Sequence, residues 1–177
     1  MDLTPGPRLG PYEVITLIDE GGMGRQSASP LHYNSMDTTP SGVLAALERC
    51  GGLLGDEVVS VYAFGSLAEG RSHRESDVDV AVLVDYALRP TRADRFETRL
   101  RLVGQLGRQL GRGDVDVVIL NDAPPQFARR IVSRGRRVHC RDTSADHAFV
   151  RTTLLRAADL EPFLRRTRRL TLEAIRR

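Results

Sequence analysis

Asp77 and Asp79 stand one residue apart at the start of the apolar run Val78-Asp79-Val80-Ala81-Val82-Leu83-Val84. On a β-strand, residues two apart share a face, so both carboxylates project together. At an effective dielectric of about 20, two unit charges about 4 Å apart repel by about 4 kcal/mol. Such a pair persists if one acid takes a raised pKa, or if both bind a divalent cation. Upstream, Gly65-Ser66 closes a second apolar run. Ser66 falls where a helix N-cap is favoured, and a helix start offers free N–H groups that attract phosphate. A phosphate-cradling turn beside an acid pair makes a metal–phosphate site, the layout for magnesium-assisted transfer from a nucleotide.

Strands must position these groups. Val58, Val59, Val61, Tyr62 and Phe64 form a β-branched and aromatic run expected to be a buried strand, ending at Gly65. Asp77 to Val84 supplies the next. Asp114-Val115-Asp116-Val117-Val118-Ile119-Leu120 reads as a third, and its two acids are again two apart. Asp114 follows Gly113 in turn-like sequence, whereas Asp116 leads directly into the apolar run.

The spacing also carries a family resemblance. Gly65-Ser66, ten residues, then Asp77-Val78-Asp79 matches the GSx10DxD motif of the DNA polymerase β-type nucleotidyltransferases. The chain most resembles the minimal nucleotidyltransferases, including the MntA-type antitoxins, over roughly Ser41 to Arg177. The family's xDxVxLN pattern aligns with Asp116 and keeps Asn121. The resemblance implies an α/β fold, a small mixed sheet with helices packed behind it and a helical C-terminus. It implies AMP transfer from ATP to a hydroxyl, with Asp77 and Asp79 binding two Mg²⁺ and Asp116 sharing a metal and helping to deprotonate the acceptor. Gly65 and Ser66 would bind the nucleotide phosphates. The implied acceptor is a tyrosine on a cognate HEPN-type (HepT-like) toxin, making the chain the antitoxin of the pair. A second reading is a small-molecule, aminoglycoside-type nucleotidyltransferase. A third is an antitoxin that binds its toxin without catalysis, against which the complete set of acids argues.

Composition sets outer limits. A chain of 177 residues suffices for one domain with its own core. It contains no apolar run long enough to span a membrane and no secretory signal. Two cysteines, Cys50 and Cys140, are too few for a disulfide framework or zinc site, so a reducing cytoplasm is expected. All 26 basic residues are arginine and the formal charge is +3. Without lysine, neither a Walker A loop nor a protein-kinase active site can be built.

Leu3 to Gly24 nonetheless resembles the opening of a bacterial Ser/Thr kinase domain, with Asp19 replacing the first glycine of its loop. No HRD or DFG motif follows. Residues 1–40 are read as a kinase-like remnant and a disordered linker, with Met36 an alternative start. Residues 41–177 are read as the nucleotidyltransferase domain.

Within that domain, Ser41 to Arg49 is expected to be a helix burying Val43, Leu44 and Leu47, stopped by Gly51 and Gly52. In the loop before the acid pair, Arg71 and Arg74 are candidate phosphate contacts, His73 could be a base but is expected to be simply solvated, and Ser76 is expected to shape the turn. Thr91 to Gly111 is expected to be an amphipathic helix. Its buried stripe would be Phe96, Leu100, Val103, Leu106 and Leu110, with Arg92, Arg95, Arg99, Arg101, Arg108 and Arg112 mainly on solvated faces. With Phe96 assigned to the buried stripe, no aromatic residue is left among the arginines for base stacking, so direct nucleic-acid binding is not expected. Pro125 to Ser133 should be a helix burying Phe127 and Ile131. Arg137 to Cys140 should be a last edge strand carrying His139. From about Asp146 the chain is expected to be helical, broken or restarted at Pro162. Leu160, Phe163, Leu164, Thr167, Leu170 and Ala174 would line one face of that segment and arginines the other.

Overall fold

In a computed structural model of the chain, residues 39–71 and 76–175 are described. The kinase-like stretch, His73 and Arg74 lie outside them. Thr39 caps helix α1 (Pro40–Cys50) by accepting from the Gly42 N–H at 3.1 Å, and Pro40 occupies the first turn. Val43, Leu44 and Leu47 are buried as expected, with Ala46 and Cys50 beside them, and a single 3-10 turn runs over Gly51–Leu53.

Strand β1 (Val58–Ala63) is buried along its whole length, as a central strand must be. The short helix α2 (Gly65–Ala68) leads towards β2 (Val78–Val84), α3 (Arg92–Leu110) and β3 (Val115–Ile119). Helix α4 (Pro125–Arg134), β4 (Arg136–Cys140) and α5 (Thr143–Ile175) complete the order. The sheet runs β3-β2-β1-β4. β1 pairs antiparallel with β2 and β4, and β2 pairs parallel with β3.

Period-two alternation divides the sheet between two apolar layers. Val78, Val80, Val82 and Val84 of β2 join Val115, Val117 and Ile119 of β3 in a core with α1 and α3. Ala81, Leu83 and Val118 face the opposite way, into a smaller core with Ala128 and Ile131 of α4 and Phe149 of α5. Helices therefore cover both faces, not only the one behind the acids. No described helix is long and apolar enough to cross a membrane.

Three expectations about helix faces need correction. On α3 the buried residues are Arg95, Thr98, Leu102, Leu106 and Leu110, while Phe96 and Leu100 are exposed. Arg95 turns inward because it is fully paired. It grips Asp122 through two nitrogens at 2.9 and 2.7 Å, donates to the Pro90 carbonyl at 2.8 Å, and lies 5.3 Å from the Tyr86 ring centroid. On α4, Phe127 is exposed and packs edge-on against Phe64 with centroids 5.8 Å apart. Helix α5 begins at Thr143 and continues through Pro162. Beyond Ala157 its side chains leave the core, and Leu160, Phe163, Leu164 and Leu170 are exposed rather than packed. The helix-forming Leu and Arg residues on both sides and the Glu161–Arg165 pair at 3.0 Å carry it across the missing N–H.

The docking of α5 rests on one buried acid. Asp146 is fully buried, and accepts from Ser60 Oγ at 2.6 Å, Tyr62 OH at 2.8 Å and Arg137 at 2.6 Å. Burial alone would push its carboxyl up. The hydrogen bonds from Ser60, Tyr62 and Arg137 outweigh that and hold it below the usual carboxylate range. Burial, with the neighbouring Asp146, pushes the Tyr62 phenol up. Sequence reading treated Tyr62 as a plain core residue, because its partner lies 84 residues away.

Asp146→Ala is expected to lower stability by about 3 kcal/mol in urea unfolding, because Ser60 and Tyr62 would be left buried without an acceptor. The depressed carboxyl makes this contribution complete above its unfolded pKa of about 4. It is lost as pH falls through the folded-state value, so acid unfolding of Asp146→Asn should lack this component.

Candidate functional site

The acids assemble because β2 and β3 run parallel in a fixed register. Asp79 is the direct pairing partner of Asp116, and Val78 that of Val115. Both acids lie on the face opposite the buried valines, and Asp77 precedes the strand by one residue. Val78 N–H donates to the Asp114 carbonyl at 2.9 Å, locking the starts of the two strands together. Asp114 itself is engaged by Arg112, which also donates to the Ser76 carbonyl at 2.8 Å and so ties the incoming loop to β3. The Arg112 contact holds the Asp114 carboxyl low.

Asp79 is half-buried between like charges. Burial first, then the charges of Asp116 and Asp77, push its carboxyl above the ordinary range. Gly65 closes over this carboxylate. It has φ +66°, a left-handed conformation that suits glycine, and a methyl group built there would overlap Asp79 Oδ2. Phe64 N–H donates to the Asp79 carbonyl at 3.0 Å, so the turn and acid strand are fastened through backbone as well. Ser66 lies inside α2 and is not its cap; the residue before the helix is the extended Phe64, which makes no side-chain cap. Backbone N–H groups of this first turn, which have no partner within the helix, point out of its start.

Asp116 carries an attachment that sequence reading missed. Arg99, expected to be a solvated helix arginine, donates through Nε to the Val117 carbonyl at 2.6 Å and through a terminal nitrogen to Asp116 at 3.1 Å. One guanidinium thus holds the strand backbone and pairs with the carboxylate. The pairing spans 17 residues and depends on α3 lying along β3, so no local pattern announces it. Arg71 is exposed and paired with Glu69. Arg130 and Arg134 of α4 line a cleft of about 140 Å³ together with Phe64, Gly65 and Phe127.

The donor chemistry suits hard divalent cations, since carboxylate oxygens are their preferred ligands. The raised carboxyl of Asp79 and the cradle that a Cβ at Gly65 would fill both fit a cation and a phosphate at this point. Among the described residues no three acidic, histidine or cysteine side chains are gathered around one point. The Asp116 carboxylate is turned to Arg99, so joining the other two requires its side chain to rotate.

Part of the chain is similar to known adenylyltransferases. Over 78 residues the chain is 33% identical to protein adenylyltransferase MntA of Shewanella oneidensis, which covers 44% of this chain and 51% of that protein. Over 83 residues it is 31% identical to spectinomycin 9-adenylyltransferase of Staphylococcus aureus, covering 46% of this chain and 32% of that enzyme. The matched regions thus span about half or less of these relatives. A crystal structure of a toxin–antitoxin with AMP-PNP shares the fold, with a TM-score of 0.51 and 23% identity over 76% of this chain and 98% of that one. So does a structure of a tri-AMPylated Shewanella oneidensis HEPN toxin in complex with MNT antitoxin, with a TM-score of 0.50 and 20% identity over 78% and 99%. The family model described as polymerase beta, nucleotidyltransferase matches residues 54–144, just over half of the chain. The chain belongs to the polymerase β nucleotidyltransferase family.

Proposed function

We propose that the chain transfers AMP from ATP to a hydroxyl group, and that the acceptor is a tyrosine of a HEPN-type toxin. The observation that carries this reading is the Asp79–Asp116 register beside the Gly65 turn. The MntA relative, a protein adenylyltransferase, supports the choice of AMP and of a protein acceptor. The catalytic unit is residues 41–177 and works in the cytoplasm, with the kinase-like remnant and linker at 1–40 outside it.

In this reading Asp77 and Asp79 would hold two Mg²⁺, and Asp116 would share one of them. The ions supply charge stabilisation to the attacking and leaving oxygens. Gly65 admits the triphosphate close to the backbone, and Ser66 donates to its oxygens. Arg130 and Arg134 line the cleft beside that turn and lend it positive charge. Asp116 takes up the proton of the acceptor hydroxyl as its oxygen bonds to the α-phosphorus. The bond from the α-phosphorus to the bridging oxygen breaks, and pyrophosphate leaves. Arg99 keeps the Asp116 carboxylate at the strand until then. The spectinomycin relative supports a small-molecule acceptor as the second reading.

Intact mass of a cognate HEPN-type toxin after incubation with this protein, ATP and Mg²⁺ tests the proposal. The expected result is a gain in steps of one AMP, absent with Asp77→Asn or Asp79→Asn although both variants stay folded. Turnover in either variant would overturn the acid assignment. No gain despite tight binding would leave a non-catalytic antitoxin, and neither gain nor binding would leave a small-molecule acceptor.

Arg99→Ala is expected to reduce kcat roughly ten- to a hundredfold with little change in the KM for ATP, because the strand that carries Asp116 loses its tie at the Val117 carbonyl and a shift of about 1 Å costs on that order. An unchanged kcat would show the Arg99–Asp116 pair to be an ordinary surface contact of small effect.

A further inference from the structure

One cavity among the described residues holds none of the three acids. It encloses about 500 Å³ at the other end of the sheet, between the last residues of β2, the start of α4 and the first half of α5. Leu83, on its wall, is four residues along β2 from Asp79, or about 13 Å. The volume falls within the range of small-molecule pockets.

Its walls are mainly apolar, and most of its polar groups are already committed. Asn121 exchanges two hydrogen bonds with the Val84 backbone, at 2.9 and 2.8 Å. Tyr86 donates to the Asn121 carbonyl at 3.2 Å. Asp85 accepts from Ala87 N–H at 2.8 Å and faces Arg141 at 3.9 Å. Thr152 donates back to the Ala148 carbonyl at 2.9 Å.

Two groups are left over, one turn apart on α5. Thr153 is only 6% exposed, yet its hydroxyl meets no described partner. Other helical threonines, Thr98, Thr152 and Thr167, donate to the carbonyl four residues back. The only fully occluded unpartnered side-chain polar atom among the described residues is Arg89 Nε. The Thr153 oxygen is therefore not fully occluded, and Thr153 lines the cavity. Arg156 stands three residues further on, at the same wall, with no ion pair to a described residue.

We propose that this cavity is a second binding site, for a small molecule with an apolar, aromatic-sized body and one anionic group. The body fills the space among Val59, Leu83, Leu120 and Phe149, and the anion meets Arg156 with Thr153 donating to it. A purely apolar ligand would leave Thr153 without a partner, and a cation would meet Arg156 as a like charge.

Fluorescence titration of the full chain with 1-anilinonaphthalene-8-sulfonate tests this, alongside its neutral counterpart N-phenyl-1-naphthylamine. The sulfonate probe is expected to saturate at one per chain. Arg156→Ala should weaken it about tenfold while leaving the neutral probe unchanged, as loss of one charge-assisted contact would. Ala148→Trp, which fills the mouth, should abolish both with the circular dichroism of the wild type. Unsaturable binding, or sulfonate affinity indifferent to Arg156→Ala, would overturn the proposal. Arg156 is exposed, so that variant leaves the core intact even if the tryptophan does not. The readout is binding alone, and its outcome is independent of whether the chain transfers AMP.

Discussion

The parallel pairing of β2 with β3 puts one carboxylate beside another, and much of the architecture serves to hold them there. Asp79 and Asp116 are cross-strand neighbours on a shared face, an arrangement that repels in the absence of a cation. The valines on the reverse of both strands fix the register, since a slip of one residue would turn them out of the core. Arg112 fastens the entry to β2 onto the start of β3. Arg99 neutralises the outer acid while gripping the strand that carries it. Gly65 brings backbone against the inner one, where any side chain would intrude.

At the other end of the sheet, polar groups do the fastening. Asn121 bonds to both the N–H and the carbonyl of Val84, as an additional strand residue would, and so closes the end of β2. Arg95 joins Asp122 to the loop before α3. On the central strand, Ser60 and Tyr62 draw Asp146 into the interior, and α5 with it. The sheet can therefore hold Asp79 beside Asp116 because its remainder is pinned by satisfied polar contacts and valine packing. The cavity between α5 and the sheet lies where that packing is incomplete.

The sequence is most legible where the signal is short-range. The acid pair, the Gly-Ser turn and the apolar strand runs are each contained in a few residues, and the family resemblance depends on their spacing. The three-strand reading and the last edge strand followed from the same local patterns. What the sequence could not display was pairing over distance. Arg95 looked like a surface arginine because its partner Asp122 is 27 residues away, and the apolar stripe of α3 was therefore assigned to the neighbouring face. Phe127 looked like core because phenylalanine usually is, but it caps Phe64 at the rim. Pro162 read as a break, although flanking helix formers and an ion pair carry α5 through it. Arg99 and Asp146 gave no motif at all, since each acquires its role only when α3 and α5 are laid on the sheet.

The proposed mechanism requires the Gly65 turn and the acids to form one nucleotide–metal site. Calorimetric titration of ATP, with and without Mg²⁺, into the wild type and Asp79→Asn tests it most directly. The account predicts Mg²⁺-dependent binding to the wild type that disappears in Asp79→Asn, with the melting temperature of the variant equal or higher because a half-buried repulsion has been removed. ATP binding that is indifferent to Mg²⁺, or that survives Asp79→Asn unchanged, would contradict it.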